Sequence, residues 1–324
     1  MAKIDSTDLQ LLHALDRNAR LPFSKLGDEA RISQEAARYR VQRLFEEQVI
    51  HSTITVVDSA KLGFAYYKIF LKLHSVNEQH IEQIIDHLNT NPDVAWVVRI
   101  EGNFDIGFAL KVSGTKDLLT LNSLVEDLTL GYHGYVSRRV FCINIAGEYL
   151  SRDYLVGRKR KDLKPGFYSV FSDPVEVDHN DQQIIRKLTT NARLSAVDLA
   201  AGLDISSDAV LLRLKKLEQK KVITRYTLVL HHSQIGHLHY KVFLYLNRSN
   251  PEKHQKLLAL CKTKPHVIFI VKTFGEWDYE LELEVESVSQ MRQVMMEITS
   301  DYADVIHNYD ALLISRIHKY NLFP

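Results

Sequence analysis

The sequence predicts an α+β fold in which a winged helix-turn-helix domain and a βαββαβ domain occur twice in one chain. Three observations predict it. The chain lines up with itself at an offset of 173 positions (Asp178 against Asp5). Apolar residues in the first part of each copy recur at helical spacing. In the second part, strand-like stretches alternate with helical ones.

The offset carries the domain plan, because a missed repeat mis-assigns a whole fold. Asp8 meets Asp181, Asn18-Ala19-Arg20-Leu21 meets Asn191-Ala192-Arg193-Leu194, and Ile32-Ser33 meets Ile205-Ser206. Arg40 meets Arg213, Gly102 meets Gly275 and Asp105 meets Asp278, with no gap from Ile4 to Ile106. The expected domains are 1–60 and 178–233 (winged helix-turn-helix), 61–150 and 234–324 (βαββαβ), and a basic linker at 151–177. That linker carries Arg158-Lys159-Arg160-Lys161, expected as a solvated tether.

The first copy starts with a helix striped by Leu9, Leu11, Leu12 and Leu15. A short second helix includes Leu26 and Ala30, with Ser24 as its expected cap. Ser33 caps a third, on which Ala37, Val41 and Leu44 share one face. A strand from 49 to 57 supplies the wing. The βαββαβ part follows: a strand at 66–73, a helix with Ile81, Ile84, Ile85 and Leu88, and a hairpin turning at Gly102-Asn103. A second helix with Leu118, Leu121 and Val125 and a last strand from 136 to 145 complete it. This order is ferredoxin-like, with helices on one sheet face. Copy two repeats it, its last strand expected at 311–317.

Composition removes several function classes. A formal charge of +1 excludes a polybasic coat, and 45% hydrophobic residues exclude disorder as the main state. No apolar run approaches the ~18 residues of a membrane helix. The start, MAKIDSTDLQ, has no signal-peptide core, so no membrane partner is expected. Cys142 and Cys261 lie far apart without a CxxC, which points to a reducing, cytoplasmic setting. There is no GxGxxG after a strand, no P-loop, no HExxH and no GxSxG. The expectation is therefore no enzyme, no catalytic residue, no cofactor and no metal. Of 15 histidines, His231, His232, His237 and His239 cluster, and are expected as surface or hinge groups with no carboxylate nearby.

In a helix-turn-helix the N-terminal half of the third helix enters the major groove. With Ala37, Val41 and Leu44 turned inward, Gln34, Glu35, Arg38, Tyr39 and Gln42 face outward. Gln and Arg suit the edges of adenine and guanine. The matching positions in copy two are Ser207, Asp208, Leu211, Leu212 and Lys215, and the two leucines are expected to pack against protein. Arg213, Lys215, Lys216, Lys220, Lys221 and Arg225 make that region basic, suited to phosphates. The expectation is that copy one reads bases and copy two, with Arg158–Lys161, supplies backbone affinity.

Asp5, Asp8, Leu11-Leu12, Leu15, Asn18-Ala19-Arg20, Leu26, Ile32-Ser33, Arg40, Leu44 and Val49-Ile50 together resemble the Lrp/AsnC (leucine-responsive) regulator family, and the pattern recurs in copy two. The Gly-x-x-Asp turns Gly102–Asp105 and Gly275–Asp278 are similar to that family's effector-domain turn. The resemblance implies double-stranded DNA as partner, an amino-acid-like effector bound near Gly102, Asp105, Gly275 and Asp278, and homo-oligomers formed through the effector domains. The family also carries a Gly-Val step that Gly131–Gly134 and Tyr302–Val305 lack, which speaks against two equivalent pockets. Family members are normally single copies that dimerise, so this chain equals one such dimer, its halves held at high effective concentration. Siroheme decarboxylases, similar in pairing two Lrp-like subunits with histidines near a tetrapyrrole, are the alternative.

Overall fold

A computed structural model describes residues 3–113, 118–160, 165–247 and 251–323. The first head is α1 (Ser6–Arg17), α2 (Phe23–Ala30) and α3 (Gln34–Glu46), followed by β1 (Ile50–Val57). Asp5 caps α1 by accepting from the Asp8 backbone at 2.9 Å, and the Asp8 carboxylate in turn accepts from the Asp5 N–H. Leu11, Leu12 and Leu15 pack with Leu26, Ala37, Val41 and Leu44 in one core. Ser33 caps α3 as expected, at 3.1 Å from the Ala36 N–H. Ser24 does not cap α2. That helix begins at Phe23 with Pro22 in the cap position, and Ser24 lies inside its first turn.

The second head repeats the layout with α6 (His179–Thr190), α7 (Ala196–Ala200), α8 (Ser207–Gln219) and β7 (Ile223–Leu230). The wings are not separate within each head: β1 pairs antiparallel with β7. Ile54 faces Thr227, its own counterpart in the repeat, so a local two-fold axis passes between them. Bonds across that axis are reciprocal. The Ala19 N–H donates to the Tyr226 carbonyl at 3.1 Å, and the Ala192 N–H to the Thr53 carbonyl at 3.0 Å. Arg20 donates to the carbonyls of Ala192 and Leu194 at 2.6 and 3.0 Å, and Arg193 to those of Ala19 and Leu21 at 2.5 and 3.1 Å. The repeated Asn-Ala-Arg is thus the clasp that joins the heads.

The effector half of copy one is β2 (Phe64–Leu73), α4 (Glu78–Thr90), β3 (Val94–Glu101), β4 (Ile106–Ser113), α5 (Leu118–Thr129) and β5 (Val136–Tyr149). After a short strand, β6 (Gly166–Ser169), and the second head, copy two gives β8 (Leu238–Leu246), α9 (Pro251–Thr263), β9 (Val267–Gly275), β10 (Tyr279–Val285), α10 (Val288–Thr299) and β11 (Ile306–Tyr320). Each half has the ferredoxin-like order, β5-β2-β4-β3 and β11-β8-β10-β9. The last strands outrun their expected bounds because both continue past their own sheet into the other. β5 pairs with β9, and β11 with β3. With β2 also on β5, eight strands close into one antiparallel barrel, which leaves neither half-sheet an open edge.

Alternate residues of each strand serve two different cores. Ile69, Leu71 and Leu73 lie under α4 and α5, as Val242, Leu244, Leu281 and Leu283 lie under α9 and α10. Phe70, Trp96, Phe104, Phe243 and Trp277 fill the barrel, where the Phe243 and Trp277 rings stack at 3.7 Å. The segment expected as a linker is partly built into the fold. β6 extends the sheet beside β5. Arg160 is buried and donates to the carbonyls of Lys262, Lys264, Pro265 and Val267. Arg160 is therefore no DNA contact, Arg158 and Lys159 are exposed, and Lys161 lies outside the described residues.

Candidate functional site

Three places combine exposed or buried polar groups in a way packing alone does not require: the outer faces of α3 and α8, a charged ladder inside the barrel, and a cavity where wings meet barrel.

On α3, Gln34, Glu35, Arg38, Tyr39 and Gln42 are all exposed, Tyr39 by 70%. Arg38 lies over the Phe23 ring at 5.2 Å, and Gln42 donates to Glu46 at 2.9 Å. Neither residue is covered by other parts of the chain. Arg40 and Arg43 point the other way, onto the buried Asp8 at 2.9 and 2.5 Å. On α8, Lys215 and Lys216 are exposed, as are Lys220 and Lys221 just beyond it, while Ser207 is half-buried. Leu211 and Leu212 are exposed by 53% and 70%, so the expectation that they pack against protein fails. The α8 core stripe is Val210, Leu214 and Leu217, and its rotation turns both leucines outward. Two of the basic residues also leave the phosphate set. Arg213 pairs with Asp178 and Asp181 at 2.6 and 2.7 Å. Arg225 is buried against Asp16 at 3.0 Å.

The Gly-x-x-Asp turns hold strand ends. Asp105 accepts from the Leu73 N–H at 2.7 Å and from Lys72 at 3.1 Å, and Asp278 from the Leu246 N–H at 2.8 Å. Gly102 has φ +135°, and a Cβ there would lie 2.8 Å from Leu312. Gly275 lies so close to β5 that a Cβ would meet Cys142 at 2.7 Å. The aromatic residues within the turns, Phe104 and Trp277, enter the barrel.

The ladder lies outside every expectation drawn from the sequence. Glu280, Glu282 and Glu284 alternate along β10 and point into the barrel. Lys68 bonds Glu280 at 2.5 Å, and Lys241 bridges Glu280 and Glu282 at 3.0 and 2.6 Å. His239 reaches Glu282 at 3.1 Å, and His232 reaches Glu284 at 2.5 Å. Carboxylates therefore do stand beside the histidine cluster, contrary to expectation. Arg152 then joins Glu284 to Asp16 of the first head, at 2.8 and 2.5 Å, and Tyr154 also donates to Glu284. Burial works against the Glu280 carboxylate, yet the Lys241 and Lys68 ammoniums outweigh it and hold it down to about 2. Burial lowers Lys68 despite Glu280. Burial also pushes His232 down to about 4, so it stands neutral as a donor to Glu284. The positions matching the three glutamates in copy one are Gly107, Ala109 and Lys111.

The cavity, about 430 Å³, lies between the wings, the start of β8 and the middle of β11. His51, His231, His232, His237, His239 and Arg316 line it, and no carboxylate does. The ring nitrogens of His51 and His231 meet at 3.1 Å. Burial lowers both, joined by His231 for His51 and by Arg316 for His231. His239 is 5% exposed, and its Nδ1 has no hydrogen-bond partner. Gly102, Asp105, Gly275 and Asp278 are not among the lining residues. Among the described residues no group of three or more His, Cys, Asp and Glu is arranged to hold a metal ion. Nor is any described helix long and apolar enough to cross a membrane.

Two heads joined at their wings above a shared barrel define a double winged helix-turn-helix protein. The AsnC-type helix-turn-helix domain matches residues 4–44, and a winged helix-turn-helix DNA-binding domain matches residues 177–224. The transcriptional regulator AldR of Mycolicibacterium smegmatis is 32% identical over 116 residues, 36% of this chain and 68% of its own length. The regulator LrpB of Bacillus subtilis is 27% identical over 133 residues, 41% of this chain and 85% of its own. The chain belongs to the Lrp/AsnC family. Across its whole length it is similar in fold to the siroheme decarboxylase NirDL, with a TM-score of 0.60 at 15% identity, covering 98% of this chain and 93% of that one. This likeness corrects the expectation that the chain is no enzyme. The motifs tested for belong to other folds, and an enzyme uses this same arrangement of two heads and a barrel.

Proposed function

We propose that the chain is a sequence-specific DNA-binding transcription regulator whose two heads act as one unit. The observation that carries this reading is the open outer face of α3, with Gln34, Arg38 and Tyr39 exposed and the framework arginines turned inward. Arg38 and Gln34 suit base edges, whereas Lys215, Lys216, Lys220 and Lys221 suit phosphates. The clasp of Arg20 and Arg193 keeps the heads at fixed spacing, and the unlike outer faces of α3 and α8 favour an asymmetric two-part site.

The test starts from duplexes recovered by genomic pull-down, with binding measured by fluorescence anisotropy on recovered and scrambled sequences. Arg38→Ala is expected to weaken the recovered duplex by about 1–3 kcal/mol while sparing the scrambled one. Lys215→Ala with Lys216→Ala weakens both alike and lowers the salt slope by about 2. No binding of any duplex at low salt sinks the reading.

A second reading, chemistry on an acidic tetrapyrrole, is supported by the histidine-lined cavity within an architecture like that of NirDL. An altered visible absorption on mixing the chain with an iron tetrapyrrole, followed by release of carbon dioxide, would favour it over the first.

A further inference from the structure

We infer that the cavity between the wings and the barrel binds a small oxyanion, the carboxylate or phosphate of a metabolite, between Arg316 and the surrounding imidazoles. The inference rests on the cavity and not on what the heads bind.

Four features of the cavity point to an anion. The first is its lining, five imidazoles and the Arg316 guanidinium with no carboxylate among them. Arg316 on β11 is exposed at the rim, and no described carboxylate pairs with it. An unpaired guanidinium beside a concave surface offers two parallel donors to a carboxylate or phosphate. Second, His239 on β8 presents a buried Nδ1 with no partner, an uncommon state for a buried polar atom. Third, His237 fixes its Nδ1 on the Ile235 carbonyl at 2.9 Å, which leaves Nε2 free to face a ligand. Fourth, the ring nitrogens of His51 and His231 meet at 3.1 Å between two paired segments, one from each copy. A bound anion would therefore touch β1, the end of β7, β8 and β11 at once.

The groups facing these imidazoles also set the pH dependence. Arg316 and the neighbouring histidines oppose protonation within the cavity, and Glu282 and Glu284 stand behind His239 and His232, already held by Lys241 and Arg152. Burial disfavours the charged form of both His51 and His231, reinforced by His231 for the first and by Arg316 for the second. An anion supplies the missing countercharge, so binding is accompanied by proton uptake and tightens as pH falls.

Calorimetric titration of the full chain with citrate and, separately, with inorganic phosphate tests this at matched ionic strength, at pH 8 and pH 6. At least one anion is expected to bind, about tenfold more tightly at pH 6, since one unit of linked pKa is a factor of ten. Citrate alone identifies a carboxylate site, and phosphate alone a phosphate site. Arg316→Gln changes an exposed side chain at the rim, and should weaken binding at least tenfold with an unchanged melting temperature. His51→Gln should remove part of the proton uptake, read from the heat in two buffers of different ionisation enthalpy. No binding of either anion, the same affinity in Arg316→Gln, or the same affinity at both pH values would each overturn the inference. DNA affinity is measured separately, so failure here leaves the regulator reading standing, and the reverse also holds.

Discussion

The third helices of the two heads stand on the same scaffold and present opposite chemistry. Asp5, Asp8 and Arg40 tie α3 to α1 as Asp178, Asp181 and Arg213 tie α8 to α6. Arg20 and Arg193 hold each head to the other by matching bonds. Outside that scaffold, Arg38 and Tyr39 give way to Leu211 and Leu212. The difference shows where joining two copies leaves them bound to each other and where it sets them free. Residues that reach across the local axis must match, because each completes the other's head. Residues that face solvent need not.

The largest expected effect tests the asymmetry inside the barrel. Glu280→Ala strips Lys68 of its carboxylate and should cost about 3–5 kcal/mol in urea unfolding. Gly107→Ala, at the matching position, brings a Cβ to 3.0 Å from Ile100 and Phe70 and should cost about 1–3 kcal/mol. Equal losses would mean that the ladder matters no more than the packing opposite it.

Acid comes next. His232 ionises near 6.5 when unfolded and near 4 when folded, so between those values the unfolded chain takes up the proton and the folded chain does not. Its contribution is whole above pH 6.5 and falls as pH drops, by about 3 kcal/mol at pH 4. Glu284 is buried but held well below the usual carboxylate range by Arg152 and His232, and adds its own loss below about pH 4.5. Melting temperature followed from pH 7.5 to 5 should fall less steeply in His232→Gln than in the parent.

The clasp sharpens the comparison of the heads. Arg20→Ala and Arg193→Ala should each cost about 1.5–3 kcal/mol, and by the same amount. Clearly unequal losses would show that the two-fold symmetry of the bonds does not extend to their energies. The smallest effect belongs to the exposed leucines. Leu211→Ala with Leu212→Ala should change stability by less than about 0.5 kcal/mol, whereas Leu214→Ala in the same helix should cost about 2–5.

Much of this architecture is legible in the amino-acid order alone. Repetition of Asn-Ala-Arg, Ile-Ser and Gly-x-x-Asp marks the two copies, and helical spacing marks α1, α3 and α8 with Ser33 as a cap. The outward set on α3 follows from its core stripe, and it is exposed. Closure of the barrel is not legible, because strand pairing between distant segments leaves no local signature in β5 or β11. For the same reason Tyr-Glu-Leu-Glu-Leu-Glu-Val, with a charge at every second residue, has the pattern of a half-solvated strand. Its polar side faces an enclosed interior instead. The histidine cluster is visible as a run of residues, but its carboxylates come from β10 and its arginine from β11, far along the chain.

The three glutamates of β10 have a consequence for the ancestry of such a chain. In a dimer of identical subunits every inward substitution is made twice, and six acidic groups would then confront a barrel whose ammonium groups are Lys68 and Lys241. Gly107 and Ala109 stand where the second set would have to fit, with Phe70 already against Gly107. A barrel charged along one wall is thus open to a single polypeptide that encodes both walls separately, and closed to a self-associating one.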